Sequence, residues 1–393
     1  MRVLVVSHTY IVDLNCEKLR ALARLTPNME VTVVVPKRWR PGGVQNRIIE
    51  PEPRQEDRFK IVPVGNLSEN NQGLLSFGPD LISLLQKVRP QVIQVEQGSK
   101  SLAYAQTITL NRILGLKAKN VFFTWWNLPY HLKFPVSLLE AYNLRHTHGL
   151  VVGNQDGADV LRQRGYQGPV RVMPQLGVDE TRFQPQLQPQ LAAQLGLAPE
   201  DFVIGFVGRF VEEKGLLTLW SALRQLQNHS RRWKCLLLGR GSLQERLEQQ
   251  AQEAGMCDRI QFIESVPHDA VPHYINLMDA LVLPSETTDH FQTLTSAGWK
   301  EQFGHVLIEA MACQVPVIGS DSGEIPNVIQ DAGLVFPEGD AQALAACLQT
   351  LMEQPETQAA LAQKGYERAM THYTNLALAK QLLEFYQELG VRA

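Results

Sequence analysis

The chain has 393 residues, 44% of them hydrophobic, and its 37 basic and 40 acidic side chains leave a formal net charge of −3. That length suggests two domains with sizeable cores. The near-neutral balance excludes a dedicated nucleic-acid binder, which carries a strong basic excess, and no apolar stretch approaches the roughly 20 residues that a spanning helix needs.

The opening MRVLVVSHTY reads as a first β-strand rather than a signal peptide. Short runs rich in Val, Ile, Leu and Phe follow at 31–35, 92–95, 121–124 and 150–153, with helical patterns at 16–25, 80–88 and 102–114 between them. Such an alternation predicts a parallel sheet covered on both faces. His8 stands just beyond the first strand, where it can face a ligand or serve the fold. Lys37, Arg38, Trp39 and Arg40 form a basic, aromatic loop after the second strand. They are read either as a solvated face or as a peripheral contact with anionic headgroups. The strand at 121–124 runs into Trp125, Trp126 and Asn127; the two indoles are read either as a platform for a sugar ring or an apolar acceptor, or as one core and one loop side chain.

The segment QPQLQPQ at 184–190 reads as a linker, because its two prolines cannot extend a helix or a central strand. The strand–helix alternation then restarts, with strands at 202–207, 234–238, 260–262, 280–283 and 316–318 and helices at 216–227, 243–254 and 306–312. The predicted organisation is an acceptor-binding domain over 1–185, a donor-binding domain over 191–373, and a helix at about 374–393 packing back on the first. Two doubly wound sheets imply a cleft, with ligands at the carboxyl ends of the strands. Cys16, Cys235, Cys257, Cys313 and Cys347 include no CxxC pair, and are read as buried, reduced thiols of a cytoplasmic protein.

Two segments carry the candidate chemistry. GRFVEEKG at 208–215 lies between a strand and a helix, so Arg209 and Lys214 sit at the ligand-binding end of the second sheet. Two cations there suit a diphosphate, and each charge-assisted hydrogen bond contributes roughly 1.5–3 kcal/mol. WKEQFGHVLIE at 299–309 places Glu301 just before a helix that opens after Gly304, and Glu309 one to two turns inside it. A helix N-terminus attracts phosphate, and each carboxylate can accept hydrogen bonds from vicinal hydroxyls. Gly239 closes a strand and opens a helix, and Glu324 lies on a further loop at the same end.

These motifs, VGRFVEEKG, LLLGRGSL, MDALVLPS, EQFGHVLIEAMAC and VPVIGSDSGEIPNVI, resemble the family-four retaining glycosyltransferases (glycosyl transferases group 1). Weaker matches in the first half are MRVLVVSH, LRHTHGLVVGNQDGADVL and VMPQLGVDETRF. The resemblance implies a GT-B fold: two Rossmann-like domains facing across a cleft, the acceptor on the first and a UDP- or GDP-sugar on the second. It implies that Arg209 and Lys214 bind the donor diphosphate, Glu301 the sugar hydroxyls and Glu309 the ribose. Gly208, Gly239, Phe303, Gly304, His305, Val306 and Glu324 would line the donor. It further implies retaining transfer without a protein nucleophile, in polysaccharide or glycolipid assembly. No Asp-x-Asp pair and no Cys/His cluster of zinc spacing occurs, so no metal is expected. A non-catalytic nucleotide-sugar binder, and a GT-B epimerase or phosphorylase, are the alternatives.

The chain departs from the pattern in four places. Residues 7–13 lack the glycines of many relatives, and the position of a usual acceptor histidine falls on Trp126 or Asn127. Gln314 stands where glycine is usual, and 285–298 is longer than expected, as a lid, an acceptor-selecting loop or a passive surface insertion.

Overall fold

The computed structural model describes residues 1–41, 47–292 and 297–392. The chain divides into two compact units, Met1–Gly177 with Asn375–Ala393, and Val178–Thr374.

The first unit is built on an eight-stranded sheet. In chain order the strands are β1 (Arg2–Val6), β2 (Glu30–Pro36), β3 (Arg54–Glu56), β4 (Phe59–Val64), β5 (Val92–Val95), β6 (Lys119–Thr124), β7 (Gly149–Val152) and β8 (Val170–Val172). Their order across the sheet is β8-β7-β6-β5-β1-β2-β4-β3, and all pairings are parallel except that of β3 with β4. Successive side chains point to opposite faces, and both faces are covered. Val3, Val5, Val31 and Val33 join a core with Leu378, Leu382, Phe385 and Tyr386 of the last helix, Asn375–Glu388. Leu4, Val6, Val34 and Ile93 join another with Leu81, Leu85, Tyr104 and Ile108. The uninterrupted apolar runs of these strands follow from that double burial.

The second unit carries a six-stranded, wholly parallel sheet. Its strands are β9 (Phe202–Val207), β10 (Trp233–Leu238), β11 (Ile260–Ile263), β12 (Ala280–Leu283), β13 (Val317–Ser320) and β14 (Leu334–Phe336), in the order β11-β10-β9-β12-β13-β14. Phe202, Ile204 and Phe206 pack with Leu219, Leu223 and Leu348 on one face. In both units the strand order reverses beside the first strand, between β1 and β5 and between β9 and β12. Ligands of doubly wound sheets bind at such switch points, beyond the carboxyl ends of the strands.

The structure departs from the sequence reading in several places. Residues 184–190 are not wholly irregular: Pro189 opens the helix Pro189–Gln194, in the first turn, where its missing N–H is not needed. β4 went unread because Pro63 interrupts its pattern. Its partner β3 reaches only as far as Ile61, so Pro63 lies where β4 is itself the edge, a position that tolerates proline. Cys257 is exposed, whereas Cys16, Cys235 and Cys313 are buried and Cys347 is half-buried. Among the described residues no helix is long and apolar enough to cross a membrane.

Gln314 follows the helix His305–Ala312 with φ at 57°, in the left-handed region. A side chain there costs energy that glycine avoids. Gln314→Gly is therefore expected to stabilise the second unit by about 1 kcal/mol, as a raised thermal midpoint; an unchanged or lowered midpoint contradicts this.

Candidate functional site

The loop that leaves β9 carries Gly208, Arg209 and a single 3-10 turn, Glu212–Lys214, before the helix Leu216–Gln225. Gly215 joins the turn to the helix with φ at 66°, and a Cβ there would stand 1.6 Å from the carbonyl oxygen of Pro284. Only glycine permits that approach, which brings the end of β12 against the β9 loop. Gly208 and Gly239 make a similar backbone contact between the turns after β9 and β10.

Lys214 lies at the centre of what this packing builds. Its Nζ donates to Glu301 Oε2 at 2.5 Å, and Ser285 Oγ, just beyond β12, donates to the same oxygen at 2.7 Å. The Lys214 ammonium also stands 5.0 Å from the centre of the Trp299 ring. Glu301 is only 6% exposed. Arg209, by contrast, has an exposed side chain, tethered to Glu213 at 3.4 Å. Sequence reading missed Ser285 and Trp299. Their signals were the polar residue that ends LVLPS and an indole two positions before Glu301.

Glu301 is fixed from its other side by the turn after β13. A Cβ on Gly323, whose φ is 55°, would stand 1.9 Å from the Glu301 carbonyl oxygen. The Glu324 N–H donates to that oxygen at 3.3 Å, and Glu324 is itself buried. Downstream, Phe303 is buried edge-on against Tyr373, with ring centres 5.7 Å apart. Gly304 begins the helix His305–Ala312 with no side chain to cap it. His305 and Val306 form the first turn and are half-buried. Glu309 sits one turn further along, where burial pushes its carboxyl up to about 7. Trp299 belongs to a hairpin, Thr288–Gln292 with Ala297–Trp299. Part of the 285–298 segment, residues 293–296, lies outside the described residues. Among the described residues, no three His, Cys, Asp or Glu side chains gather as a metal site requires.

In the first unit the candidates fall at the carboxyl edge of its sheet. His8 stacks obliquely on Trp39 with ring centres 4.9 Å apart, and burial lowers its pKa to about 4, so it is neutral at pH 7. Trp39 is buried, and Arg38 is held at 3.3 Å by both Glu50 and Glu69. The 37–40 loop therefore does not present its indole as a membrane contact. Trp125 packs edge-on against Phe123 and donates its indole N–H to Gln175 at 3.1 Å; it serves the core of the sheet more than a surface platform. Trp126 is half-buried, with its indole N–H on the carbonyl of Leu128 at 2.5 Å. Asn127 is buried.

A carboxyl whose folded pKa is raised is protonated more readily in the native chain than in the unfolded one. Its burial therefore costs stability as pH rises from the unfolded value near 4.5 towards about 7, and the full cost persists above that. Glu309→Gln is expected to raise the thermal midpoint at pH 8 and to change it little at pH 4.5. A destabilised variant at pH 8 would show that Glu309 has a favourable ionised partner instead.

Residues 188–368 match the family model described as glycosyl transferases group 1. Among curated proteins, the chain is 26% identical to the alpha-D-kanosaminyltransferase of Streptomyces kanamyceticus over 204 residues, 51% of this chain and 49% of that one. It is 27% identical to a GDP-mannose-dependent alpha-(1-6)-phosphatidylinositol monomannoside mannosyltransferase of Mycolicibacterium smegmatis, over 50% of this chain and 51% of the relative. The chain thus spans about half the length of these curated relatives. Among solved structures, the sucrose-phosphate synthase of Thermosynechococcus elongatus superposes with a TM-score of 0.68 at 20% identity, over 99% of this chain and 98% of that one. Anabaena HepE, in complex with UDP and glucose, gives 0.67 at 19% identity, over 99% and 100%. At such identities the likeness speaks for the fold, which is GT-B. The chain thus has the GT-B fold, and residues 188–368, most of its second unit, are similar to the glycosyl transferases group 1 family.

Proposed function

We propose that the chain is a retaining, metal-independent glycosyltransferase. It moves a hexosyl group from a nucleoside-diphosphate sugar to a saccharide, lipid-linked or small-molecule acceptor, in polysaccharide or glycolipid assembly. The observation that carries this reading is the Lys214–Glu301–Ser285 cluster at the switch point of the second sheet. The second unit binds the donor and the first the acceptor. Curated relatives named as kanosaminyl- and mannosyltransferases support the reaction class. UDP in one structural neighbour and GDP-mannose in one relative's name keep both nucleotides as donors.

In this reading Lys214 and Arg209 hold the diphosphate, aided by the backbone at Gly208, Gly239 and Phe303 to Val306. Glu301 accepts hydrogen bonds from the sugar hydroxyls, Glu309 from the ribose, and Glu324 adds a further donor contact. The bond between the anomeric carbon and the leaving phosphate oxygen breaks. The acceptor oxygen bonds to that carbon on the same face, and its proton passes to the departing phosphate. The protein stabilises the developing negative charge and orients both substrates. Glu301 already holds Lys214 and Ser285, so it serves better as a fixed acceptor for sugar hydroxyls than as a nucleophile. On the acceptor side, His8, Trp126 and Asn127 remain contacts of the first unit, with Trp125 supporting them from the core.

The test is a thermal-shift and calorimetry panel of UDP, GDP, ADP and their sugar conjugates, with and without EDTA. One nucleotide family should stabilise the protein regardless of EDTA and lose its effect in Arg209→Ala. Binding by none of them, or binding abolished by EDTA, contradicts the proposal. With the donor so found, Lys214→Ala and Glu301→Gln should each lower turnover by about 10²–10³-fold with the fold intact; unchanged turnover in both removes these residues from the mechanism.

A further inference from the structure

Lys100 lies in the loop after β5 and is half-buried. Its ammonium stands 3.8 Å from the centre of the Tyr130 ring and 4.4 Å from that of Trp126. A cation over two aromatic faces gains about 0.5–2 kcal/mol, more as it is desolvated. The seat is rigid. Trp126 is fixed by its N–H bond to Leu128 and meets Tyr130 edge-on, with ring centres 6.0 Å apart. Tyr130 in turn donates its hydroxyl to Glu140.

Glu140 does not neutralise Lys100. That carboxylate is buried and already committed: Oε1 accepts from Tyr130 and, at 2.7 Å, from Ser99, while Oε2 is paired with Arg164. Two cations thus share one carboxylate, and Arg164 has the direct bond. Burial holds the Lys100 ammonium down to about 8, with the Arg164 charge adding to that and the Glu140 charge opposing it. A lysine kept in such a seat is poised to gain from an anion supplied from outside. Its place is the carboxyl edge of β5 and β6, beside the switch point of the first sheet, where ligands of such sheets bind.

We propose that Lys100, seated on Trp126 and Tyr130, recognises an anionic group, a phosphate or carboxylate, on the acceptor. This rests on the reading of the first unit as the acceptor side. It narrows the acceptor from any saccharide to one that carries negative charge. The bare indole and phenol faces alone would favour a neutral ring; the cation lodged on them alters that preference.

Binding to the full chain is measured by calorimetry with glucose, glucose 6-phosphate and glucuronate, and by sedimentation with phosphatidylglycerol–phosphatidylcholine vesicles. Wild-type protein, Lys100→Gln and Lys100→Arg are compared. At least one anionic probe should bind wild type about tenfold or more tighter than its neutral counterpart, glucose or pure phosphatidylcholine. Lys100→Gln should erase that preference and Lys100→Arg retain much of it. A preference for the sugar phosphate or glucuronate identifies a soluble acidic acceptor, and one for the vesicles alone a lipid-borne phosphate. Equal binding of charged and neutral probes, no binding of any, or a preference that survives Lys100→Gln would overturn the proposal. UDP and GDP binding is followed on the same samples. If a nucleotide binds normally while charge preference is absent, this inference fails and the donor reading stands. If charge preference depends on Lys100 but no nucleotide binds, the donor reading fails and the anion site stands.

Discussion

Lys214 and Glu301 are 87 residues apart in sequence, yet their charged groups meet at 2.5 Å with little exposure to solvent. Taking both out of water is costly, so such a pair is a poor device for stability alone. It becomes intelligible as a device for position. The pair exists because three loops are drawn together at one end of a wholly parallel sheet. Gly215 lies against Pro284, and Gly323 lies against Glu301, each at a distance that no side chain would allow. The two glycines set the backbone, the backbone sets the pair, and the pair fixes the Lys214 ammonium against Glu301 and the Trp299 ring.

The sequence disclosed most of this, because the elements that build it have strong patterns. Parallel strands buried on both faces read as continuous apolar runs, so β1, β2, β5, β9 and β12 were visible without any structure. Lys214 and Glu301 were legible because each sits in a strand-to-helix loop bounded by glycine. What escaped was whatever depends on the third dimension. Ser285 is an ordinary serine until the β9 loop folds against it, and Trp299 an ordinary aromatic until its hairpin brings it to Lys214. Trp39 misled for the converse reason. Among the basic residues 37–40 it looked like a surface group, but the turn after β2 buries it against His8.

The two adjacent indoles show how neighbours in sequence part company in structure. Successive residues beyond a strand face opposite ways, so Trp125 enters the core under the last helix while Trp126 stays at the edge with Lys100. The first unit therefore keeps its cation on aromatic faces, and the second keeps its own against a carboxylate and an indole. Arg164, not Lys100, has the direct bond to the nearby Glu140 carboxylate, which is the physical ground of the anion contact proposed for Lys100.

The most direct test of the central assignment is hydrogen exchange at backbone amides, followed with and without saturating UDP or GDP. If the diphosphate sits between the β9 loop and the helix His305–Ala312, slowed exchange is expected in residues 208–215 and 301–309, and it should vanish in Lys214→Ala. Protection that leaves both segments unchanged while a nucleotide is demonstrably bound would contradict the assignment.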